Sequence, residues 1–255
     1  MASEGRRVAF CFSGLTRLKR STAESFVRVW AEPLEAAGFK VECHFYLWFV
    51  EGNERHVRLA RGVADDYFGV DRVASFTCVP SEHARLLAEL RGAIREEAVR
   101  VDADRVQVSN LVSMFEGIHR AFGQVKDADA CAAVARCRLD VLYDDPVDAV
   151  AVVRDVVLRD GKVAVPFPVR PRTVRDIFAL GSPTHMRAYC ALHGARLAEV
   201  VNSRRVYKDT LHAEFVLRDH LAQRGVPTVC ALRCQRFHMT KADVADVRHA
   251  SASAS

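Results

Sequence analysis

The chain has 255 residues, of which 50% are hydrophobic and 27% are charged, and its formal net charge is +5 at pH 7. This is an ordinary globular balance in a chain long enough to bury a core. The positive excess is weak and spread along the sequence, so by itself it does not indicate a nucleic acid partner. It suits a small anionic ligand such as a nucleotide.

The sequence also predicts the kind of compartment and the domain organisation. No apolar run reaches the roughly 18 residues of a membrane-spanning helix, and the first residues lack the apolar core of a signal peptide. The eight cysteines contain no Cys-x-x-Cys pair, so we expect reduced thiols in a cytoplasmic protein. We expect one domain over residues 1–248 and a disordered, Ala- and Ser-rich tail over residues 249–255.

Helices and strands alternate in the first half of the chain. The predicted elements are strand 8–13, helix 21–38, strand 41–49, helix 56–68, strand 73–78 and a helix from 81 towards 100. Ser21 followed by Glu24 has the form of a capping box, so the first helix is expected to begin there. Pro33 is expected to kink that helix or to end it early.

The second half continues the alternation. Its predicted elements are helix 110–125, strand 132–138, helix 146–153, strand 163–166, strand 177–180, helix 183–193, helix 213–223 and strand 226–232. Ser182 is expected to cap the helix that follows it. This order predicts the α/β class, as a three-layer sandwich with a mostly parallel central sheet.

The end of the first predicted strand is a candidate nucleotide site. Phe12, Ser13 and Gly14 lead into a basic turn through Arg17. A glycine at such a turn lets the backbone approach a ligand, and small polar residues can bond a base or a ribose. Neither a Gly-x-Gly-x-x-Gly nor a P-loop pattern is present, and an ordinary strand-to-helix turn is the alternative interpretation.

The apolar run over residues 133–140 ends in Arg138-x-Asp140. An aspartate at a strand end can coordinate Mg²⁺ or Mn²⁺ through oxygen, and an arginine beside it can bind a phosphate. The alternative is a local ion pair that caps the strand. Asp144 and Asp145, just beyond, either add ligands or form a turn before Pro146.

Two later carboxylates are candidate catalytic groups. Asp176 follows a proline-rich loop and precedes an apolar segment that ends at Gly181, which is equally typical of a strand followed by a capped helix. Glu214 opens the helix over residues 213–223. There it is a candidate general base or sugar ligand, although a carboxylate also suits a helix N-terminus without any function.

Four segments, taken in order, resemble a known enzyme family. They are residues 8–17 (VAFCFSGLTR), residues 110–121 around Ser113-Met114, residues 134–140 (VARCRLD) and residues 176–186 (DIFALGSPTHM), followed by His212-Ala213-Glu214. The set resembles the GT-A-type glycosyltransferases of large DNA viruses and of bacterial surface-polysaccharide clusters, including the group related to the lipopolysaccharide-synthesis protein WavE. The resemblance spans most of the chain.

The resemblance implies a single GT-A-like domain that transfers a sugar from a UDP- or GDP-linked donor to a glycan or other acceptor, in surface or capsid glycan synthesis. It places the nucleotide at the first strand end and beside Asn110, and the donor and acceptor sugars beside Asp176 and Gly181. Asp140 stands for the last aspartate of the usual Asp-x-Asp and would hold Mn²⁺ or Mg²⁺. Arg138 replaces the first aspartate, so an arginine could neutralise the diphosphate directly.

The catalytic base and the class of function stay open at this point. Asp176 and Glu214 are both candidates for the base of an inverting enzyme, and retention is an alternative stereochemical outcome. A non-catalytic nucleotide- or glycan-binding domain is the main rival, and a dinucleotide-dependent enzyme is a second. We expect no nucleic acid partner, no membrane span and at most a weak homodimer, in the host cytoplasm if the protein is viral.

Overall fold

The computed structural model describes residues 6–16, 18–94, 105–143, 147–167, 173–203, 212–232 and 234–236, with the side chains of His83, Arg91, 105–110 and 234–236 excepted. The strands are β1 Arg7–Leu15, β2 Lys40–Phe49, β3 Val73–Pro80, β4 Cys131–Cys137, β5 Val141–Tyr143, β6 Val163–Pro166, β7 Phe178–Gly181, β8 Thr228–Leu232 and β9 Cys234–Arg236. The helices are α1 20–36, α2 54–69, α3 His83–Arg91, α4 Arg105–Gly123, α5 149–159, α6 Pro183–Cys190, α7 Gly194–Ser203 and α8 Ala213–Gln223. No helix in these ranges is both long and apolar enough to cross a membrane.

Seven strands form the central sheet, in the order β3-β2-β1-β4-β7-β6-β8. Strands β1 to β4 run in one direction, β7 runs against its neighbours β4 and β6, and β8 is parallel to β6. The chain moves outwards from β1 to β3 and then returns to place β4 on the other side of β1. The predicted α/β class with a mostly parallel sheet is therefore confirmed, and a point at which the strand order reverses lies between β1 and β4.

Two apolar layers cover the two faces of this sheet. Alternation along β1 sends Phe10 and Phe12 to one face and Ala9 and Cys11 to the other. Helices α1, α2 and α5 contribute to the first layer, and α3, α4, α6, α7 and α8 contribute to the second. This arrangement confirms the predicted three-layer sandwich.

An aromatic cluster in the first layer fixes the positions of several strand ends. Phe12 stacks on Phe45 with 4.8 Å between ring centroids, and Phe178 stacks on Trp30 at 4.9 Å. Aromatic pairs of this kind add about 0.5–1.5 kcal/mol each beyond the area they bury. Because Phe178 begins β7, its contact with α1 also holds the start of β7 beside the end of β4.

The capping box predicted for α1 is wrong, and so is the alternative that Pro33 ends the helix. The helix begins at Arg20 after Lys19, without a side-chain cap, and Glu24 binds Arg20 at 2.6 Å within the first turns. The Glu24 side chain, which a capping box would direct at a backbone N–H, is therefore bound to Arg20 instead. Pro33 does not end the helix, because it follows a wider π turn over Val27–Ala31 in which Glu32 N–H donates to the Val27 carbonyl.

Sequence periodicity also missed some short elements. Strands β5 and β9 pair antiparallel in a separate two-stranded sheet, and α7 had not been predicted. The helix expected from Ser81 towards residue 100 is shorter than predicted, because it ends at Arg91 with Gly92 as its C-cap and residues 92–94 are not helical. Residues 95–104 and the predicted tail over residues 249–255 lie outside the described residues. Ser182 caps α6 as predicted, since its hydroxyl accepts a hydrogen bond from His185 N–H at 3.3 Å.

Candidate functional site

The end of β1 presents backbone in an unusual conformation. Gly14 has φ 147°, in the region that glycine adopts much more readily than other residues. A Cβ at this position would lie 3.8 Å from Leu139 Cδ1, which is ordinary contact, so the backbone conformation rather than lack of space favours glycine. Ser13, immediately before it, is buried.

Arg138 and Asp140 follow the end of β4 and bind each other at two points. Arg138 Nε donates to Asp140 Oδ1 at 2.7 Å, and Nη2 donates to Oδ2 at 2.8 Å. The Arg138 backbone N–H donates to the Ile177 carbonyl at 3.1 Å, which joins the β4 end to the start of β7. The local ion pair that the sequence left open as an alternative is thus present.

The reversed direction of β7 brings Asp176 to the same place. Cys137, the last residue of β4, pairs with Phe178, the first residue of β7. A parallel β7 would have begun at the opposite edge of the sheet. Instead, Asp176 Oδ2 lies 3.5 Å from Arg138 Nη1, and the Asp176 side chain is largely buried.

The guanidinium of Arg138 is therefore shared by two carboxylates. Burial lowers its pKa, but the hydrogen bonds and charge of Asp140, together with the charge of Asp176, outweigh that effect and raise the pKa above its ordinary value. The side chain stays cationic and keeps about a fifth of its surface open to solvent, at 21%. This geometry provides a fixed positive group at the edge of the sheet.

Glu214 lies in the first turn of α8 and is buried. Its backbone carbonyl accepts a hydrogen bond from Val174 N–H at 3.4 Å. This contact joins the start of α8 to the segment that leads into Asp176. The two predicted catalytic carboxylates thus belong to neighbouring segments, with only Asp176 in contact with Arg138.

Arg136 belongs to the same run as Arg138 and Asp140, but the sequence assigned it no role of its own. It lies within β4, is 2% exposed, and its Nη1 donates to the carbonyls of Ser13, at 3.4 Å, and of Cys137. Within the described part of the chain, its Nε and the buried hydroxyl of Tyr189 have no hydrogen-bond partner. Burial lowers the pKa of Arg136, and neighbouring Arg138 lowers it further, while Tyr189 and Asp176 raise it. A charged residue inside an otherwise apolar strand was the available signal.

The other predicted residues are less directly placed. The Phe12 side chain is buried in the aromatic core, where it stacks on Phe45, so it does not reach the polar groups at the strand ends. Gly181 pairs with Val134, well inside β4, and the structure does not bring it to the strand ends. Its lack of a side chain has a packing reason, because a Cβ would lie 2.9 Å from Val163 Cγ2. The predicted residues that lie outside the described part are Arg17, the Asn110 side chain, Asp144 and Asp145.

The described residues do not fit a divalent cation at Asp140. Both carboxylate oxygens already accept hydrogen bonds from Arg138, and Mg²⁺ or Mn²⁺ requires several oxygen ligands. Among the described side chains, no group of three or more His, Cys, Asp or Glu is arranged to hold a metal ion. The geometry therefore favours the interpretation in which Arg138 supplies the positive charge.

Two cavities occur away from these residues. One, of about 420 Å³, lies near Gly38 and Arg72. The other, of about 370 Å³, is lined by Arg85, Glu116 and Arg120 among others, between α3 and α4. Neither cavity includes a residue that the sequence predicted as part of the site.

These features define an open α/β protein with polar groups gathered at the reversal of strand order between β1 and β4. In open α/β sheets, ligands bind outside the carboxyl ends of the strands at such a point. No protein-family model and no curated protein matches the chain.

One solved structure with a similar chain path is mouse xyloside xylosyltransferase 1 in its apo form. The two chains are 10% identical, the match covers 88% of this chain and 84% of that one, and the TM-score is 0.48. A likeness at this level carries no conclusion about the activity of the present protein.

Proposed function

We propose that this protein is a glycosyltransferase with a GT-A-like domain, which moves a sugar from a nucleotide-diphosphate donor to a hydroxyl of a glycan or other acceptor. The observation that carries the proposal is the meeting of Gly14, Arg138, Asp140 and Asp176 at the reversal of strand order. These residues come from segments that are far apart in the sequence.

The position and chemistry of these residues support a nucleotide ligand. The point between β1 and β4 is where open α/β sheets bind nucleotides. Gly14 lies near the end of β1, where backbone can approach a ligand closely, and arginine is well suited to binding phosphate. Since the sequence has no Gly-x-Gly-x-x-Gly pattern, a dinucleotide cofactor is the less favoured ligand.

The sequence resemblance supports sugar transfer in particular. Its four segments lie on β1, α4, β4 and β7. The ends of β1 and β4 and the start of β7 are joined by contacts of Arg136 and Arg138. Three of the four segments that resemble the family therefore also build this edge of the sheet.

In the proposed reaction, the bond between the sugar C1 and the β-phosphate oxygen breaks, and the nucleoside diphosphate leaves with the electron pair. A bond forms between C1 and the acceptor oxygen, whose proton passes to a carboxylate. Arg138 stabilises the charge that develops on the diphosphate. Asp176 is the favoured base because it lies beside Arg138, and Glu214 is the second candidate.

Donor hydrolysis tests this proposal against its main rival, a non-catalytic domain that only binds nucleotides or glycans. Wild type should release UDP or GDP from at least one nucleotide sugar, and Asp140→Ala should lower that rate by about tenfold or more. Asp155→Asn, which alters an exposed ion pair, is the matched control and should leave the rate unchanged. Equal background rates in wild type and Asp140→Ala would favour the binding domain.

Ligand-induced thermal stabilisation distinguishes the proposed glycosyltransferase from the second rival, a dinucleotide-dependent enzyme. UDP or GDP should raise the unfolding temperature of wild type, since a ligand that binds only the folded state stabilises it. Stabilisation by NAD, with none from either nucleoside diphosphate, would contradict the transferase proposal.

A further inference from the structure

We propose that Arg138 is the resident cation of the diphosphate subsite and that this subsite binds a nucleoside diphosphate without a divalent metal ion. This inference rests on the proposed function. It concerns the same site, but a binding experiment with and without Mn²⁺ distinguishes failure of this inference from failure of the proposed function.

The first argument is the position of the guanidinium. Arg138 lies between Asp140 and Asp176, with contacts of 2.7 and 2.8 Å to the first and 3.5 Å to the second. A metal ion that bridged two carboxylates would occupy the same kind of position. A divalent cation at Asp140 would therefore have to displace the guanidinium or accept a like charge beside it.

The second argument is the donor geometry that remains. An arginine carries two N–H groups on each terminal nitrogen. Asp140 engages one of the two Nη2 N–H groups, and Asp176 makes only a 3.5 Å contact with Nη1, so both terminal nitrogens can donate to a phosphate once that longer contact is given up. With Asp176 displaced, one N–H of Nη1 and one of Nη2 are parallel, which matches two oxygens of one phosphate.

The contact lengths indicate how a phosphate would enter. The two short bonds to Asp140 hold the side chain in place, while the contact with Asp176 is longer, at 3.5 Å. A phosphate oxygen that competes for Nη1 replaces the longer contact first. Asp176 would then be released beside the reacting atoms, where the proposed mechanism needs a base.

Arg136 supplies a second, independent observation. It is buried beneath the same strand ends, and its Nη1 contacts the Ser13 carbonyl at the end of β1. Its Nε has no hydrogen-bond partner in the described part of the chain. A buried cation that no described carboxylate bonds directly adds positive potential in a medium that screens it weakly, which favours an anion at this edge.

The test is calorimetric titration of the full chain with UDP and GDP, in EDTA and in millimolar Mn²⁺. Wild type should bind one of them with dissociation constants that agree within about threefold in the two conditions. Arg138→Asp should weaken binding in EDTA by about tenfold or more, and Mn²⁺ should recover part of the loss, because two carboxylates then flank the position.

Two further variants keep the result interpretable. Arg138→Lys retains the charge without the two-point geometry and should bind more weakly than wild type in EDTA, which remains testable if Arg138→Asp does not fold. Arg159→Lys, on an exposed arginine of α5, should bind like wild type.

Wild-type binding that requires Mn²⁺ would overturn this inference and leave the glycosyltransferase proposal standing. Wild-type affinity retained by both Arg138 variants in EDTA would also overturn it. Failure of both nucleoside diphosphates to bind in either condition would overturn the inference and the proposed function together.

Discussion

The guanidinium of Arg138 binds both carboxylate oxygens of Asp140, at 2.7 and 2.8 Å, directly beyond the end of β4. The pair is only about one-fifth exposed, with 21% and 22% of the two side chains open to solvent. It therefore lies between an exposed ion pair, which contributes little, and a fully buried pair, whose disruption is costly.

Replacing Asp140 by asparagine should consequently lower the free energy of unfolding by about 1–3 kcal/mol, because Arg138 loses one of its two carboxylates. Asp155→Asn removes one side of the exposed Arg159–Asp155 pair and should change stability by less than about 0.5 kcal/mol. Urea unfolding of the three proteins measures both effects. Equal stability changes in the two variants would show that the Arg138–Asp140 pair does not organise the strand end.

Gly181 should be intolerant of a methyl group for a packing reason. Its Cβ would lie 2.9 Å from Val163 Cγ2 and 3.4 Å from Met186 Cγ, so Gly181→Ala should cost about 1–3 kcal/mol of unfolding free energy. The matched control is Gly62→Ala in α2, where a Cβ meets nothing within 4 Å. That variant should gain about 0.5–1 kcal/mol from helix propensity. A stable Gly181→Ala protein with impaired nucleotide binding would instead assign Gly181 to the ligand.

His220 should make the protein less stable as the pH falls below 6.5. The ring is fully buried, its Nε2–H donates to the Ala188 carbonyl at 2.7 Å, and Nδ1 accepts from Arg196 Nε at 3.3 Å. Burial, and then the charges of Arg196 and Arg224, lower the pKa of His220 below 6.5, while the Ala188 bond and Glu199 oppose this. The unfolded chain therefore takes up a proton that the folded state rejects.

The resulting loss approaches about 1.4 kcal/mol per pH unit for one histidine between its two pKa values. Urea unfolding of wild type and His220→Gln at pH 7.5, about 6 and about 5 measures the difference. The variant should show a shallower decline with falling pH, although it is less stable at pH 7.5. Parallel pH dependences would mean that His220 does not contribute.

Substitution of Arg136 should affect ligand binding more than it affects stability. Removing one charge from the protein interior is costly when it leaves a bonded partner charge unpaired, and none of the described carboxylates is bonded directly to Arg136. Arg136→Met should therefore change the unfolding free energy by no more than about 1 kcal/mol, while its affinity for UDP or GDP falls about threefold or more. Arg187→Met, on the exposed side of α6, is the control and should keep wild-type affinity. Severe destabilisation with unchanged affinity would make Arg136 a purely structural residue.

The periodic spacing of apolar residues predicted most of the long helices and strands. Strands β1, β2 and β6 and helices α4 and α8 follow directly from apolar spacing, because each buries a continuous face. The direction of β7 did not follow, since four apolar residues carry no information on which neighbour they pair with. That direction decides the site, because it brings Asp176 to Arg138.

The remaining discrepancies have a similar origin in tertiary contacts. Arg138 and Asp140 were recognisable from the sequence as a candidate pair. Their two-point bond, and the additional contact of Arg138 with Asp176, depend on where β7 begins. Glu24 was expected to cap α1 and instead binds Arg20. Arg136 was visible as a charge in an apolar strand, but only the fold shows that it reaches the Ser13 carbonyl of β1.

The most direct test of the central claim is a crystal structure of the protein with UDP or GDP bound. We predict that the diphosphate lies outside the ends of β1 and β4, with a phosphate oxygen at about 2.7–3.0 Å from an Arg138 terminal nitrogen and with Gly14 beside the nucleoside. A nucleotide bound elsewhere, for example in the cavity lined by Arg85 and Arg120, with Arg138 still held only by Asp140 and Asp176, would contradict the account.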